Sequence, residues 1–77
     1  MRFIDNVGNR YRADTKVGLV YELYKRSWNK VHCMDIDDWV SKCATRIWEQ
    51  YDIVIEYRSY DDFVDELITY KLIKEIN

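Results

Sequence analysis

RFIDNVGNRYR, residues 2–12, is the stretch on which the fold turns. Arg2–Asp5 and Arg10–Ala13 are short β-favouring runs on either side of Asn6, Val7, Gly8 and Asn9, a turn cluster whose glycine tolerates positive φ freely. The stretch reads as a β-hairpin, and it makes a chain whose remaining periodicity is mostly helical an α+β protein.

Downstream, Asp14 or Thr15 can cap a helix in which Val17, Val20, Tyr21, Tyr24 and Trp28 recur at helical spacing, with Leu19 and Leu23 widening the stripe. An apolar arc of roughly 200° predicts a central helix covered on more than one side. Residues 27–34 read as a polar connection. Asp35 then supplies an N-cap, Asp38 lies at N3, and Met34 with Trp39 occupy the positions of a hydrophobic staple. Ile36, Trp39, Val40, Cys43, Ala44, Ile47, Trp48 and Tyr51 follow as an amphipathic helix, with Trp39 and Trp48 at opposite edges of its arc and each expected to be half covered.

Residues 52–58 alternate Ile53, Ile55 and Tyr57 with Val54, Glu56 and Arg58, the pattern of a half-buried strand. Ser59 and Asp62 open a third helix whose core face is Tyr60, Phe63, Val64, Leu67 and Ile68. Because Lys71 would fall on that apolar face, the helix should end near Tyr70, leaving residues 72–76 as a short strand or docked tail. The expectation is one small α+β domain over residues 1–77 in the order β-β-α-α-β-α, an N-terminal hairpin plus a third strand packed against three helices.

At 77 residues the chain is near the lower size for a self-sufficient core, and it compensates with twelve aromatic residues in a composition that is 48% hydrophobic. It has no Pro and only two Gly, so no segment reads as a linker. No apolar run resembles a signal peptide or a membrane span, and Cys33 and Cys43 lack a CxxC pair, so the expected setting is the cytoplasm with both thiols reduced.

Charge is unevenly distributed. Residues 1–31 carry seven basic and three acidic side chains, whereas residues 32–77 carry five basic and eleven acidic. Such a split points to charged macromolecular partners. The acidic candidates are Asp35, Asp37 and Asp38 at the start of the second helix and Asp61, Asp62, Asp65 and Glu66 on the third. They could imitate nucleic-acid phosphates in a basic channel, flanked by Trp28, Trp39 and Tyr60 as aromatic anchors. The competing surface is basic: Arg2, Arg10 and Arg12 on the hairpin with Lys25 and Arg26 on the first helix, able to track a nucleic-acid backbone.

Catalysis finds no support. His32 is the lone histidine, and there is no nucleophile elbow and no glycine-rich phosphate loop. His32, Cys33 and Cys43 lack zinc-site spacing, and Asp35, Asp37 and Asp38 lack the glycine and distal Glu of a calcium loop. Neither an enzyme nor a metal or other cofactor is expected.

The segments Phe3-Ile4-Asp5…Gly8-Asn9…Tyr11, Thr15…Leu19-Val20…Leu23-Tyr24…Ser27-Trp28 and Ser59-Tyr60-Asp61-Asp62-Phe63-Val64…Leu67-Ile68…Leu72-Ile73 resemble a loose group of short, uncharacterised proteins from phages, plasmids and conjugative elements of low-GC Gram-positive bacteria. The shared motifs are structural, and Lys71 stands where a helix-ending glycine is expected. The resemblance implies a mobile-element origin, a context in which small acidic proteins antagonise host defence systems such as CRISPR effectors. The primary expectation is therefore an inhibitor that binds a host nucleic-acid-handling protein through its acidic, aromatic-flanked helix faces. The alternatives are a nucleic-acid-binding regulator using the basic surface and a self-associating accessory protein such as a homodimer; no membrane partner is expected.

Overall fold

The hairpin is organised by one carboxylate. In the computed structural model, which describes residues 1–76 apart from the side chains of Trp28 and Asn29, strands β1 (Arg2–Asp5) and β2 (Arg10–Arg12) pair antiparallel with Phe3 opposite Tyr11. Between them Gly8 takes φ 94°, and Asp5 accepts hydrogen bonds from the backbone N–H groups of Val7 (3.0 Å) and Asn9 (2.8 Å). An aspartate that bonds the turn following it is a standard local device for reversing a chain.

Helix α1 (Lys16–Arg26) starts at Thr15, whose hydroxyl accepts the Gly18 N–H at 2.9 Å, and it packs against β2 and the two later helices. It is central, as its wide apolar arc implied. The arc is nevertheless only partly used, since Leu19 and Val20 are buried while Tyr21 stays 53% exposed. A 3-10 turn (Trp28–His32) fills the connection.

Helix α2 (Ile36–Tyr51) is capped by Asp35, which accepts the Asp38 N–H, while the Asp38 carboxylate accepts the Met34 N–H at 3.0 Å. The expected staple does not form. Met34 is 91% exposed and turned into solvent, whereas Trp39 is buried. The helix ends where Asp52 adopts left-handed backbone with φ 56°.

Helix α3 (Tyr60–Thr69) is capped by Ser59, with Asp62 accepting the Arg58 N–H in return. It stops as expected at Tyr70. The Leu72 N–H reaches back to the Leu67 carbonyl and the Lys71 N–H to the Ile68 carbonyl, which is a Schellman closure with Lys71 (φ 61°) in the position glycine usually takes.

That turn delivers strand β3 (Ile73–Ile76) to the free side of β1, giving an antiparallel sheet in the order β2-β1-β3. The α+β class, with a hairpin and a third strand against three helices, is therefore the observed one, but the third strand is Ile73–Ile76 and not residues 52–58. The physical reason is that β1 has only two sides. One holds β2, and the other is taken by a strand that follows α3 through a tight turn. Residues 52–58 instead run beside α3, whose Glu66 and Asp62 side chains accept the Glu56 and Arg58 N–H groups.

The core joins Phe3 and Ile73 of the sheet to Leu19 and Val20 of α1, Trp39, Val40 and Ile47 of α2, and Phe63, Val64 and Leu67 of α3, with Ile55 from the extended segment. All the helices thus lie on the face of the sheet that bears Phe3. Among the described residues, no helix is long and apolar enough to cross a membrane.

Candidate anion-binding sheet face

Residues directly opposite one another in an antiparallel ladder project from the same face. Phe3 and Tyr11 point toward the helices. The rows on the other face are therefore Arg12-Arg2-Ile76 and Arg10-Ile4-Lys74. Four cations stand on a surface of six positions, and Arg2, Arg10, Arg12 and Lys74 are all exposed. Arg2 and Arg12 are direct cross-strand neighbours, an arrangement that is destabilising for like charges unless an anion lies between them.

Among the described residues, none of these four cations forms an ion pair. The two ion pairs among the described residues are Lys16 with Asp65 (2.5 Å) and Lys42 with Asp38 (3.0 Å), and neither involves an arginine.

Arg26 completes the cluster from α1. Its guanidinium lies 4.5 Å from the Tyr11 ring centroid and donates to the Arg10 carbonyl at 2.6 Å, fixing the helix end to the hairpin edge. Arg2, Arg10, Arg12 and Arg26 line one groove of about 480 Å³ in which Glu22 is the sole acidic lining residue. Four of the five basic residues singled out from the sequence thus converge; Lys25 does not line the groove, and its carbonyl accepts the Lys30 ammonium. Lys74, which the sequence did not mark, joins the face through β3. Its place there follows from the pairing of β3 with β1, which sets Lys74 opposite Ile4.

Asp5 supports this face from behind. Its carboxylate also accepts from the Asn9 side chain and the Tyr11 hydroxyl, each at 3.0 Å. Partial burial pushes its pKa up, but the hydrogen bonds from Asn9, Tyr11 and Val7 outweigh burial and hold the carboxyl below its ordinary value. The sequence signal for it is the Asp-Asn-Val-Gly-Asn turn, where a lone aspartate heads the reversal.

Most of the candidate acidic residues are engaged in contacts within the molecule, three of them at helix starts. Asp35 caps α2, Asp38 and Asp62 accept the Met34 and Arg58 N–H groups just ahead of the N-caps, Glu66 holds the Glu56 N–H, and Asp65 pairs with Lys16. Asp61 is exposed on the same helix, close enough to Lys16 to favour its charged form. The starts of α2 and α3 do meet, because the Tyr60 hydroxyl donates to Asp37; that bond, with burial second, pushes the tyrosine pKa up to about 12. The Tyr21 ring packs edge-on against Tyr60, 6.2 Å between centroids.

One of the three expected aromatic anchors, Trp39, does not stand at the surface. Trp39 is 5% exposed and lies in the core, its ring edge-on to Tyr24, because α2 turns that edge of its arc inward. The side chain of Trp28 falls outside the described residues. One exposed aromatic that sequence reasoning overlooked is Tyr21, hidden by its membership of an apolar stripe. Among the described residues no three His, Cys, Asp or Glu side chains group as metal ligands, and burial raises the Cys43 pKa despite nearby Arg46.

Comparisons with protein-family models, with curated proteins and with solved structures return no match to this chain.

Proposed function

We propose that the protein binds the phosphate backbone of nucleic acid through the open face of its sheet. The observation that supports this most directly is the Arg2–Arg12 cross-strand pair, flanked by Arg10 and Lys74 on the same face and in no ion pair among the described residues. Two guanidiniums side by side form a bidentate cradle for phosphate oxygens, and arginine suits this better than lysine because its planar fork holds two parallel hydrogen bonds. The two outer rows of the sheet carry no aromatic residue, and the Tyr11 ring that lines the groove at the β2 edge is already covered by Arg26, so the recognition is of backbone charge. Arg26 acts as a positioning residue, held over Tyr11 while it fastens the β2 edge. The role is a sequence-tolerant one, and no chemistry is performed on the nucleic acid.

Fluorescence anisotropy with a labelled duplex at about 50 mM salt is the test, since backbone contacts are strongest there. The wild-type chain should bind, and Arg2→Ala with Arg12→Ala should weaken binding on the order of a hundredfold if each phosphate contact is worth about 1.5 kcal/mol. An unchanged affinity would dismiss the face.

A second reading rests on a separate feature, the corner where Tyr21 and Tyr60 meet Asp35, Asp37 and Asp61. An exposed aromatic beside carboxylates is the composition of a protein-binding patch, and a basic surface on a host nucleic-acid-handling enzyme is the partner it fits, with inhibition as the outcome. Substituting Tyr21→Ala and Asp61→Asn together should remove that binding while leaving affinity for duplex unchanged.

A further inference from the structure

Residues 53–57 have the sequence of a strand and no strand partner. Their exposure alternates as in an extended chain, with Ile53 and Ile55 turned inward and Val54 and Glu56 outward. The Glu56 and Arg58 N–H groups point to α3, where side chains accept them. In an extended chain the N–H and C=O groups of the intervening residues point the opposite way. No hydrogen bond among the described residues engages the backbone of Ile53, Ile55 or Tyr57. An unpaired edge of this kind is a template for strand addition.

We propose that a second copy of this chain occupies that edge, its own residues 53–57 pairing antiparallel about a two-fold axis at Ile55. The choice of occupant follows from self-complementarity. Centred on Ile55, the pairing sets Ile53 against the other copy's Tyr57 and Val54 against its Glu56, and brings Asp52 within reach of its Arg58 at both ends. An aliphatic–aromatic pair and an opposite-charge pair are favourable cross-strand neighbours. Centring on Val54 would oppose Asp52 and Glu56, and centring on Glu56 would oppose that carboxylate to itself. Parity agrees as well, because the Ile55-centred register uses the odd-numbered backbone groups that are unengaged. The surface beside the edge has the right character: Trp48 (54% exposed) and Val54 (60% exposed) line a hollow of about 320 Å³ with Ala44, Thr45 and Ile55. An isologous contact of this type closes on itself and stops at a dimer. It leaves the arginine face uncovered.

Sedimentation of the full chain over a dilution series from about 100 μM to about 1 μM reads the association directly. The wild type should dimerise reversibly. Asp52→Arg and Arg58→Asp, each of which places like charges at both ends of the pair, should each weaken dimerisation on the order of tenfold or more, and the double swap should restore it. Val54→Asp, which faces Glu56 across the pair, should give a folded monomer by circular dichroism. A wild-type monomer at every concentration, a dimer indifferent to the single swaps, or a double swap no tighter than either single one would overturn the proposal.

Discussion

Asp5 concentrates more structure than any other single side chain here. It accepts from two backbone N–H groups, an amide and a phenol, and thereby fixes the turn, the register of β1 with β2 and the placement of the arginines. Replacing it with Ala should cost about 2 kcal/mol, because hydrogen bonds to a charged acceptor exceed neutral ones but this site is partly exposed; urea denaturation measures it. Its pKa is lowered in the folded protein, so its stabilisation is present above the ordinary carboxylate range near 3.8 and is lost as pH falls through the depressed folded value. Asp5→Asn should flatten that acid limb of the stability curve.

Tyr60 has the opposite sense. Its folded pKa of about 12 exceeds the ordinary 10, so the unfolded chain loses its proton first and stability should fall between those values; Tyr60→Phe should abolish that alkaline slope. Lys71 at φ 61° pays for left-handed backbone without serving the core. Lys71→Gly should therefore raise stability by about 0.5 to 1 kcal/mol, the relief of steric strain less the added entropy of the unfolded glycine.

At the scale of elements, the ends of the helices were more legible than their surroundings. Thr15, Asp35 and Ser59 are the observed N-caps because capping depends on a few adjacent residues, and the stop at Tyr70 followed from Lys71 being incompatible with an apolar face. Met34 escaped because a staple needs the preceding chain to return across the helix, and the 3-10 turn at Trp28–His32 directs it outward. Residues 52–58 read as the third strand, and residues 72–76 as a short strand or a docked tail, for a similar reason. Alternation reports which faces are buried but not which edge of β1 each segment can reach. Trp39 illustrates the energetics: its indole is buried, yet Nε1 has no acceptor. Trp39→Phe should thus cost under about 1.5 kcal/mol, since the lost contacts are offset by removing an orphaned donor, whereas Trp39→Ala should cost about 3 to 5 kcal/mol by leaving a cavity. Thermal denaturation of the two variants checks the contrast.

For the whole molecule, the charge split along the sequence becomes a split between layers. The hairpin puts its arginines on the open face of the sheet, and the acidic helix starts lie in the layer on the other side. That the first thirty residues are basic was plain from the chain. That Arg2 and Arg12 are direct neighbours needed the register, and that Lys74 joins them needed β3. Conversely, much of the acidic excess that suggested a mimic of nucleic acid is accounted for by N-caps, dipole complements and one ion pair. The most direct test of the arginine face as a backbone-binding surface is the dependence of duplex affinity on salt. If Arg2, Arg10, Arg12 and Lys74 each displace a counterion, log K should fall against log salt with a slope of about −3 to −4, and Arg12→Ala should reduce its magnitude by about 0.9. A slope near zero, or one that Arg12→Ala leaves unaltered, would contradict the account.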